Sequence, residues 1–587
     1  MVTSIVSADS LLAVDVGTTS TRVFLFDVVD GRYHFIASGS SPTTASMPHH
    51  DVGEGLRWAF SHLEDITGRT LFRADGSLII PSGKDGSGVD TFAATMSAGP
   101  PLKVIVVGLL ESVSVESAQR LADTTYAQVV KTLSLNDRRQ QEERIDAILS
   151  ACPDIVIITG GTEGGASQSL RKLIEAVGLA CYLMPEKERP HILFAGNQEL
   201  RKEVQSSLGS LAQIHIAPNL RPTLETEQLE PAQTQMANIF RHVRARQIMG
   251  VSQLNVWSED RLLPSVSAFG RVIRFLSRVY DPNKGVLGIN VGSSTTTLVS
   301  AFSGNLDLGV YPQLGLGYGA LGLLEHNRLE DITRWVTIDL PQDVVRDYIY
   351  NKSVYPSSLP TTQEGLAIEY AMLRQAIRTA VNYSLPRFPT DVAGSGPGLL
   401  PQFEPIIASG AAIANAPSYA QAMLALLDGL QPTGVTTLVL DQNDMAPVLG
   451  AAAGMNPALA VQLLESNAFL NLGTVVSPLG RAHLGAPVLR LRVVQESGDE
   501  SSIEVKFGTL KVIPIPSGQA VQLRLRPLNR FDVGMGGPGV GGRLRVVGGA
   551  LGMVIDARGR PLALSKDPGR RRQHFSSWLE ELESRRV

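Results

Sequence analysis

The sequence predicts an α/β protein with two similar lobes, a parallel α/β unit inserted into the first lobe, and a β-rich C-terminal region. Three observations predict this organisation: a hydroxyl-rich hairpin near the start of the chain, a second copy of it in the middle, and short apolar strands alternating with helices between the two. At 587 residues the chain is also too long for one hydrophobic core, so several domains are expected.

The first hairpin spans Leu11 to Asp27 and reads LLAVDVGTTSTRVFLFD. An apolar strand ends on Asp15, a turn of Gly17, Thr18 and Thr19 follows, and the next strand is rich in β-branched and aromatic residues. The N–H groups of such a turn can bind a phosphate, and Asp15 can hold the water shell of Mg²⁺. A plain polar turn has much the same composition, so this hairpin alone leaves both interpretations open.

A second copy of the hairpin favours the phosphate interpretation. Val286 to Ser300 reads VLGINVGSSTTTLVS, and laying Asn290 on Asp15 places Gly292 on Gly17 without a gap. Two such hairpins suggest two lobes that face each other across a nucleotide. The predicted phosphate-binding residues are Gly17, Thr18, Thr19, Thr21, Asn290, Gly292, Ser293, Ser294 and Thr295.

The net charge, the apolar runs and the two cysteines of the chain bear on its possible partners and its compartment. The formal charge of −4 gives no general reason to expect nucleic acid or an anionic membrane. No apolar run approaches the ~20 residues that span a bilayer, and residues 1–10 do not resemble a signal peptide, so a cytoplasmic protein is expected. Cys152 and Cys181 are too few for a disulfide framework or metal site and are predicted to be buried thiols.

Changes in the hydrophobic pattern of the sequence divide the chain into five predicted segments. Short apolar strands alternate with helices from Lys103 onward, which is typical of a Rossmann-like parallel sheet with crossover helices. Alternating apolar and basic residues after Pro487 suit a small antiparallel sheet or barrel. The segments are a first lobe at 1–100, an inserted α/β domain at 101–230, a helical connection at 231–284, a second lobe at 285–482, and a β-rich domain with a terminal helix at 483–587.

A glycine-rich turn lies inside the inserted segment, from Thr159 to Gly165 (TGGTEGG), before a helix predicted to begin near Ala166. Backbone N–H groups at such a position can bind an anion. The spacing matches neither the dinucleotide fingerprint nor the P-loop, so a structural turn is the preferred interpretation and ligand binding stays open.

The second lobe contains a further turn of small residues. An apolar strand from Pro405 runs into Gly410, Ala411 and Ala412, and then into a helix predicted to reach about Leu427. Small residues there allow a planar base to lie against the backbone, although they also serve close packing. These three residues are the predicted adenosine contact.

The order of two phosphate-type hairpins followed by a strand-Gly-Ala-Ala turn resembles the actin, sugar kinase and heat-shock chaperone superfamily of ATPases. This resemblance implies a two-lobed, actin-like (ribonuclease H-like) core. A closer resemblance covers nearly the whole chain and is carried by SPTTASMPHHDVGEGL, IVIITGGTEGG, ASGAAIA, LVLDQNDMAPVLGAAA and especially GGALGMVIDARGRPL. These segments are similar to the glutamate mutase-associated MutL or GlmL family, which is unrelated to the mismatch-repair protein of the same name.

The family resemblance implies an ATP-driven reactivating chaperone for an adenosylcobalamin-dependent mutase, with ATP and Mg²⁺ as cofactors and Asp15 as the metal-binding and catalytic residue. The family usually has aspartate where Asn290 and Thr297 stand here. Because an amide is no general base, ATP hydrolysis stays an open question.

Two alternative functions follow from the same residues. The missing carboxylates suggest a non-hydrolysing scaffold or regulatory protein, and the VDVGTTSTR motif suggests a sugar-kinase-type phosphotransferase. Against the kinase, no convincing substrate loop with a catalytic aspartate follows the first hairpin. The sequence leaves the partner and the oligomeric state open.

Overall fold

The computed structural model describes residues 9–165, 167–389, 392, 396–494 and 500–584. Their strands form four sheets. We number strands and helices in chain order.

The first-lobe sheet has five strands, namely β1 (Leu11–Val16), β2 (Ser20–Val29), β3 (Arg32–Pro42), β4 (Thr91–Met96) and β10 (Leu263–Pro264). Their order is β10-β4-β1-β2-β3, with β1 to β3 antiparallel and β4 parallel to β1. Helix α1 (Val52–Thr67) packs on β2 and β3 through Leu56, Phe60 and Leu63. It begins after Asp51, whose side chain accepts a hydrogen bond from the backbone N–H of Gly53 and so caps the helix.

The second-lobe sheet has eight strands in the order β13-β12-β11-β14-β15-β16-β22-β19. They are β11 (Gly285–Val291), β12 (Thr295–Phe302), β13 (Asn305–Pro312), β14 (Phe403–Ser409), β15 (Gly434–Asp441), β16 (Phe469–Ser477), β19 (Leu510–Ile513) and β22 (Met553–Asp556).

The two lobes repeat the arrangement of their first four strands. The order β3-β2-β1-β4 of the first lobe recurs as β13-β12-β11-β14 in the second. The hairpin registers also agree, since Asp15 pairs with Arg22 and Asn290 pairs with Thr297. The predicted internal repeat is confirmed, and the architecture is the two-lobed, actin-like one.

A parallel α/β unit follows the first-lobe strands. Its five strands have the order β6-β5-β7-β8-β9 and are all parallel. The inner strands β5, β7 and β8 are nearly continuous apolar runs, as expected for strands buried on both faces, whereas the edge strand β6 carries the exposed residues Gln128 and Lys131. The predicted parallel sheet is confirmed, with β5 (Leu102–Val107), β6 (Ala127–Leu133), β7 (Ile155–Ile158), β8 (His191–Phe194), β9 (Ile214–Ile216), and helices α2 (Glu116–Ala122), α3 (Gln141–Ala151), α4 (Gln168–Leu183) and α5 (Arg201–Leu208).

Three helices lead into the second lobe, namely α6 (Glu230–Gln247), α7 (Val251–Trp257) and α8 (Ser265–Val279). Helix α8 packs very closely on α15 (Ala446–Ala452), because a side-chain carbon on Gly450 would lie only 1.8 Å from the carbonyl oxygen of Ala268. The other second-lobe helices are α9 (Ala320–His326), α10 (Leu329–Thr333), α11 (Gln342–Val354), α12 (Gln363–Ser384), α13 (Ala411–Ala414), α14 (Tyr419–Leu430) and α16 (Pro457–Leu464).

The C-terminal region forms a four-stranded antiparallel sheet of order β18-β17-β20-β21 and a terminal helix. Two of its strands, β19 and β22, instead extend the second-lobe sheet. These buried four-residue strands show no periodicity that would assign them to one sheet from sequence. The elements are β17 (Pro487–Val494), β18 (Glu500–Lys506), β20 (Ala520–Pro527), β21 (Gly542–Val547) and α17 (Pro568–Glu583).

A buried ion network ties β22 and α17 into the second lobe. Arg558 pairs with Asp428 of α14 at 2.7 Å and with Asp556 of β22 at 2.8 Å. Its guanidinium lies 4.6 Å from the ring centre of Trp578 on α17. Arg560 also pairs with Asp556 at 2.7 Å. Asp556, Arg558 and Arg560 come from the GGALGMVIDARGRPL segment, so that segment anchors the end of the chain.

Two expectations from the sequence are wrong. Cys181 is buried, but Cys152 is exposed because it caps the C-terminal end of α3 in a left-handed conformation (φ 44°). The helix expected after Gly410 is broken into α13 and α14, with Pro417 between them. The helix start predicted at Ala166 lies outside the described residues, and α4 begins at Gln168.

None of the helices in the described ranges is both long and apolar enough to cross a membrane.

Candidate functional site

A cleft between the two lobes is lined by the turns of both hairpins and by the turn after β14. The structure therefore brings together segments that are almost 400 residues apart in the chain. Of the sequence-predicted site residues, the cleft contains Asp15, Gly17, Thr18, Thr19, Asn290, Gly292, Ser293, Ser294, Thr295, Gly410 and Ala411.

Thr21 and Ala412 do not line the cleft. Thr21 is fully buried and its hydroxyl contacts the Thr43 hydroxyl at 2.9 Å. Successive strand residues point to opposite faces, so Ser20 and Arg22 face the cleft while Thr21 faces the interior. Ala412 lies one position beyond the turn, where its carbonyl oxygen accepts a hydrogen bond from the Tyr370 hydroxyl at 3.0 Å.

Both hairpin turns are closed by the same backbone hydrogen bond. Gly17 N–H donates to the Ser20 carbonyl at 3.0 Å, and Gly292 N–H donates to the Thr295 carbonyl at 2.9 Å. The turn after β14 requires glycine, because Gly410 has φ 110° and an added side-chain carbon would lie 2.3 Å from the Val291 carbonyl oxygen.

Asp15 is held at the floor of the cleft by two hydroxyl groups. Its Oδ1 accepts hydrogen bonds from Thr95 Oγ1 at 2.6 Å and from Ser265 Oγ at 2.8 Å. Burial raises the pKa of Asp15, although these two donors and the nearby Arg22 act in the opposite direction. In the described part of the chain no side chain donates to its Oδ2, which leaves that oxygen available to a water or cation in the cleft.

An ion pair joins the lobes across this cleft. Arg22 of β2 donates to Asp444, which follows β15 in the second lobe. The other Asp444 oxygen accepts hydrogen bonds from Ser409 Oγ at 2.8 Å and from Gly410 N–H at 2.5 Å. Burial alone would lower the pKa of the Arg22 guanidinium, but Asp444 and Asp15 raise it overall.

Sequence reasoning missed both partners of this pair. Arg22 has the same register in its hairpin as Thr297 in the other, so the first lobe contributes a cation where the second contributes a hydroxyl. The sequence signal for Asp444 is its place in the turn LVLDQND, three residues after β15 ends at Asp441. It gives the second lobe a carboxylate at the cleft even though Asn290 and Thr297 carry none.

A second buried carboxylate, Asp441, lies beside Asp444. Its two oxygens accept hydrogen bonds from the backbone N–H groups of Met445 at 2.9 Å and Ala446 at 2.8 Å, and so cap α15. Burial and the neighbouring Asp444 carboxylate raise the pKa of Asp441 to about 7. Near neutral pH the Asp441 carboxyl is therefore partly protonated.

The inserted α/β unit also reaches the cleft. Tyr126, which directly precedes β6, is buried and lines the cleft beside Asp15 and Ser265. Burial and the Asp15 charge raise the pKa of its hydroxyl, so Tyr126 is a neutral hydrogen-bonding group. Sequence reasoning missed this contact as well.

The TGGTEGG turn does not line the cleft. The Asn219 side chain donates to the Gly161 carbonyl at 2.8 Å and so supports the turn from the segment that follows β9. This contact suits a structural turn; ligand binding at Thr159 to Gly165 stays a prediction.

Across the described residues, no three His, Cys, Asp or Glu side chains are arranged as ligands of one metal ion. A divalent cation here would rely on one or two carboxylates and on ligands that arrive with it, which is the usual situation for Mg²⁺ bound with a phosphate.

The duplicated lobes and the cleft between their hairpins define a two-lobed, actin-like α/β protein. The model of the family described as MutL protein matches residues 11–468. The chain therefore belongs to the MutL protein family. A curated relative, Protein MutL of Clostridium tetanomorphum, is 23% identical over 392 residues, which cover 64% of this chain and 78% of the relative.

Two solved structures overlap most of the chain with low sequence identity. The activator of the 2-hydroxyisocaproyl-CoA dehydratase from Clostridium difficile, with bound ADPNP, is 8% identical, with 78% of this chain and 98% of that chain covered and a TM-score of 0.29. Glycerol kinase of Plasmodium falciparum, with ADP, is 11% identical, with 79% and 94% covered and a TM-score of 0.30. These TM-scores are low, so the family assignment rests on the sequence match.

Proposed function

We propose that the cleft binds ATP with Mg²⁺ between the two lobes. The observation that carries this proposal is the convergence of two hairpin turns in the same register with the Gly410 turn on one cleft. In this arrangement the hydroxyl-rich turns hold the phosphates and the Gly410 turn lies against the adenosine. Both hairpins contribute backbone N–H groups, which suit an anion regardless of the side chains around them.

Asp15 is the residue we propose to hold Mg²⁺. Its Oδ1 is fixed by Thr95 and Ser265, while its Oδ2 is available on the cleft side. A single oriented carboxylate, together with phosphate oxygens and waters, suits the octahedral preference of Mg²⁺. The bound cation supplies charge neutralisation for the phosphates.

Nucleotide binding is proposed to change how the lobes are joined. Arg22 and Asp444 link them directly, and a phosphate group in the cleft competes with Asp444 for the Arg22 guanidinium. Separating the pair would free an Asp444 oxygen while the other keeps its bonds to Ser409 and Gly410. The relative positions of the lobes then depend on the nucleotide.

Membership of the MutL family supports a chaperone role for this movement. We propose that the chain reactivates an adenosylcobalamin-dependent mutase, with lobe movement transmitted through the inserted α/β unit or the C-terminal sheet. We expect a cofactor-inactivated mutase to regain activity when this chain, Mg²⁺ and ATP are all present. Equal recovery without ATP would contradict an ATP-driven mechanism.

Calorimetric titration of the full chain with ATP and Mg²⁺ tests the binding site. We expect saturable binding that is weakened about tenfold or more by Ser293→Ala with Ser294→Ala, because two phosphate donors are lost. The matched control removes the exposed hydroxyls of Ser206 and Ser207 on α5 and should leave binding unchanged. An absence of binding at millimolar nucleotide would overturn the proposal.

A non-hydrolysing scaffold is the second candidate, favoured by Asn290 and Thr297 at the positions where the family usually has aspartate. In that case ATP binds and holds the lobes without turnover. Phosphate release that disappears in Asp15→Ala would rule this candidate out, whereas tight ATP binding without phosphate release would support it.

A further inference from the structure

A second cavity lies against helix α8, apart from the cleft, and has a volume of about 500 Å³. Ser265 and Phe269 of α8 line the cleft, whereas Ser267, Arg271 and Arg274 line this second cavity. The two groups of residues lie on different faces of the helix, since Ser267, Arg271 and Arg274 recur at helical spacing. The second cavity is therefore a separate space that shares one wall with the cleft.

The walls of the second cavity come from both lobes and from the helical connection. Strand β4 of the first lobe contributes Phe92 to Ala94, and strand β13 of the second lobe contributes Leu306 and Leu308. Helix α6 contributes one face, which carries Gln233, Asn238 and Arg241. Any occupant would contact elements of both lobes at once.

Arginine side chains give the second cavity a positive charge. It is lined by Arg241, Arg261, Arg271 and Arg274, against the carboxylates of Glu230 and Asp260. The lining residues alone leave two positive charges in excess, and Glu259, which pairs with Arg261 from outside the lining, reduces the excess to one.

Two of these arginines have no carboxylate partner. Arg274 pairs with Glu230 at 2.6 Å and Arg261 pairs with Glu259 at 3.1 Å. Among the residues that the structure describes, neither Arg241 nor Arg271 forms an ion pair. Arg271 is exposed and has only a long contact of 3.4 Å to the Gly450 carbonyl oxygen. An anion would compensate both charges.

The rest of the lining suits an organic molecule rather than an inorganic ion alone. Phe92, Leu262 and Leu308 provide buried apolar surface, while Gln233 and Asn238 add amide donors. An apolar floor with a few convergent polar groups is the usual composition of a small-molecule site.

We propose that the second cavity binds a small organic anion, with its phosphate or carboxylate group paired to Arg241 and Arg271 and its apolar body on the floor formed by Phe92, Leu262 and Leu308. Guanidinium groups bind either oxyanion through charge-assisted hydrogen bonds. Because its walls belong to both lobes, the bound anion also holds the lobes together.

Titration of the full chain with phenyl phosphate and, separately, with benzoate tests this proposal, and phenol serves as the neutral analogue. We expect saturable binding of at least one of the anions and about tenfold or more weaker binding of phenol. The double variant Arg241→Gln with Arg271→Gln should weaken anion binding by a similar factor. Arg278→Gln, an exposed arginine on the same helix that does not line the second cavity, is the matched control and should bind as the wild type does.

Phenyl phosphate also suits the cleft, so the same titration of Arg22→Gln distinguishes binding in the cleft from binding in the second cavity. Binding that survives Arg22→Gln and is lost in the double variant supports the second cavity. Binding that is lost in Arg22→Gln and retained in the double variant takes place in the cleft and overturns the proposal. An absence of saturable binding of both anions at millimolar concentration also overturns it. No nucleotide is used, and the Arg22→Gln titration separates binding in the second cavity from binding at the proposed ATP site.

Discussion

The ion pair of Arg22 and Asp444 is one of several contacts between the lobes, and it is the one that lies in the cleft; elsewhere the Asn456 side chain donates to the Tyr33 hydroxyl at 2.6 Å. The Asp444 side chain is only 7% exposed, and that of Arg22 is 23% exposed. Removing one partner of such a pair leaves the other charge poorly solvated, which lowers stability. Removing both charges together avoids this loss. The pair is thus suited to hold the lobes until a phosphate replaces the carboxylate.

We predict that Arg22→Gln lowers stability by roughly 2–4 kcal/mol, since Asp444 keeps a buried charge. Adding Asp444→Asn to Arg22→Gln should restore part of the lost stability. A double-mutant cycle with the thermal midpoint as its readout measures this recovery. Arg57→Gln breaks an exposed pair with Glu54 and should have little effect. Additive losses in the double variant would show that the two residues do not act together.

Asp441 should make stability depend on pH near neutrality. Its pKa is about 7 in the folded protein, against about 3.9 in an unfolded chain. The folded state therefore binds more protons between these values, so the contribution of Asp441 to stability is present at low pH and is lost as the pH rises through 7.

We predict that the thermal midpoint falls more between about pH 6 and about pH 8 in the wild type than in Asp441→Asn, which stays neutral throughout. Asp146→Asn, which removes an exposed carboxylate on α3, should keep the wild-type dependence. Identical pH profiles for the wild type and Asp441→Asn would contradict the raised pKa.

The paired hairpins are the elements that sequence predicts best. The constant offset between the two copies matches β1 with β11 and β2 with β12, because strand register follows directly from the aligned turns. The cleft contacts of Arg22, Tyr126 and Asp444 could not be predicted in this way. Each depends on how separate elements pack, and no local periodicity encodes that.

The two hairpins also offer a matched comparison. A side-chain carbon on Gly17 would lie 2.8 Å from the Ser20 carbonyl oxygen, but the same change at Gly292 would give an ordinary 3.4 Å contact. We predict that Gly17→Ala lowers the thermal midpoint and weakens ATP binding, while Gly292→Ala has a smaller effect on both. Equal effects would indicate that the turns do not differ in backbone space.

The ion network around Arg558 holds the C-terminal elements β22 and α17 against the second lobe. Burial would raise the pKa of Asp556, but Arg558 and Arg560 hold it well below its usual range. Arg558→Gln removes the ion-pair hydrogen bonds of Arg558 but leaves Asp428 paired with Arg374 and Asp556 paired with Arg560, so we predict a loss of about 1–3 kcal/mol in unfolding experiments. Arg543→Gln on the exposed face of β21 is the control, and a loss as small as this control would contradict a stabilising network.

At the scale of the whole molecule, the inserted unit and the two lobes meet at the cleft. Tyr126 lies at the start of β6 and lines the cleft beside Asp15, and its ring also lies 6.0 Å from that of Phe240 on α6. The Arg244 guanidinium on α6 in turn donates to the Pro100 carbonyl, where the chain enters the inserted unit. A change in the cleft therefore has a direct physical route into the inserted unit.

We predict that Mg²⁺ and ATP slow backbone hydrogen exchange in β6 and α2 as well as in the two hairpins, because Tyr126 transmits the occupancy of the cleft. Tyr126→Phe removes the hydroxyl but keeps the ring, and it should abolish the effect in β6 and α2 while the hairpins still respond. Tyr318→Phe, at an exposed tyrosine outside the cleft lining, is the control. Protection of β6 and α2 that persists in Tyr126→Phe would show that the inserted unit responds to nucleotide through another contact.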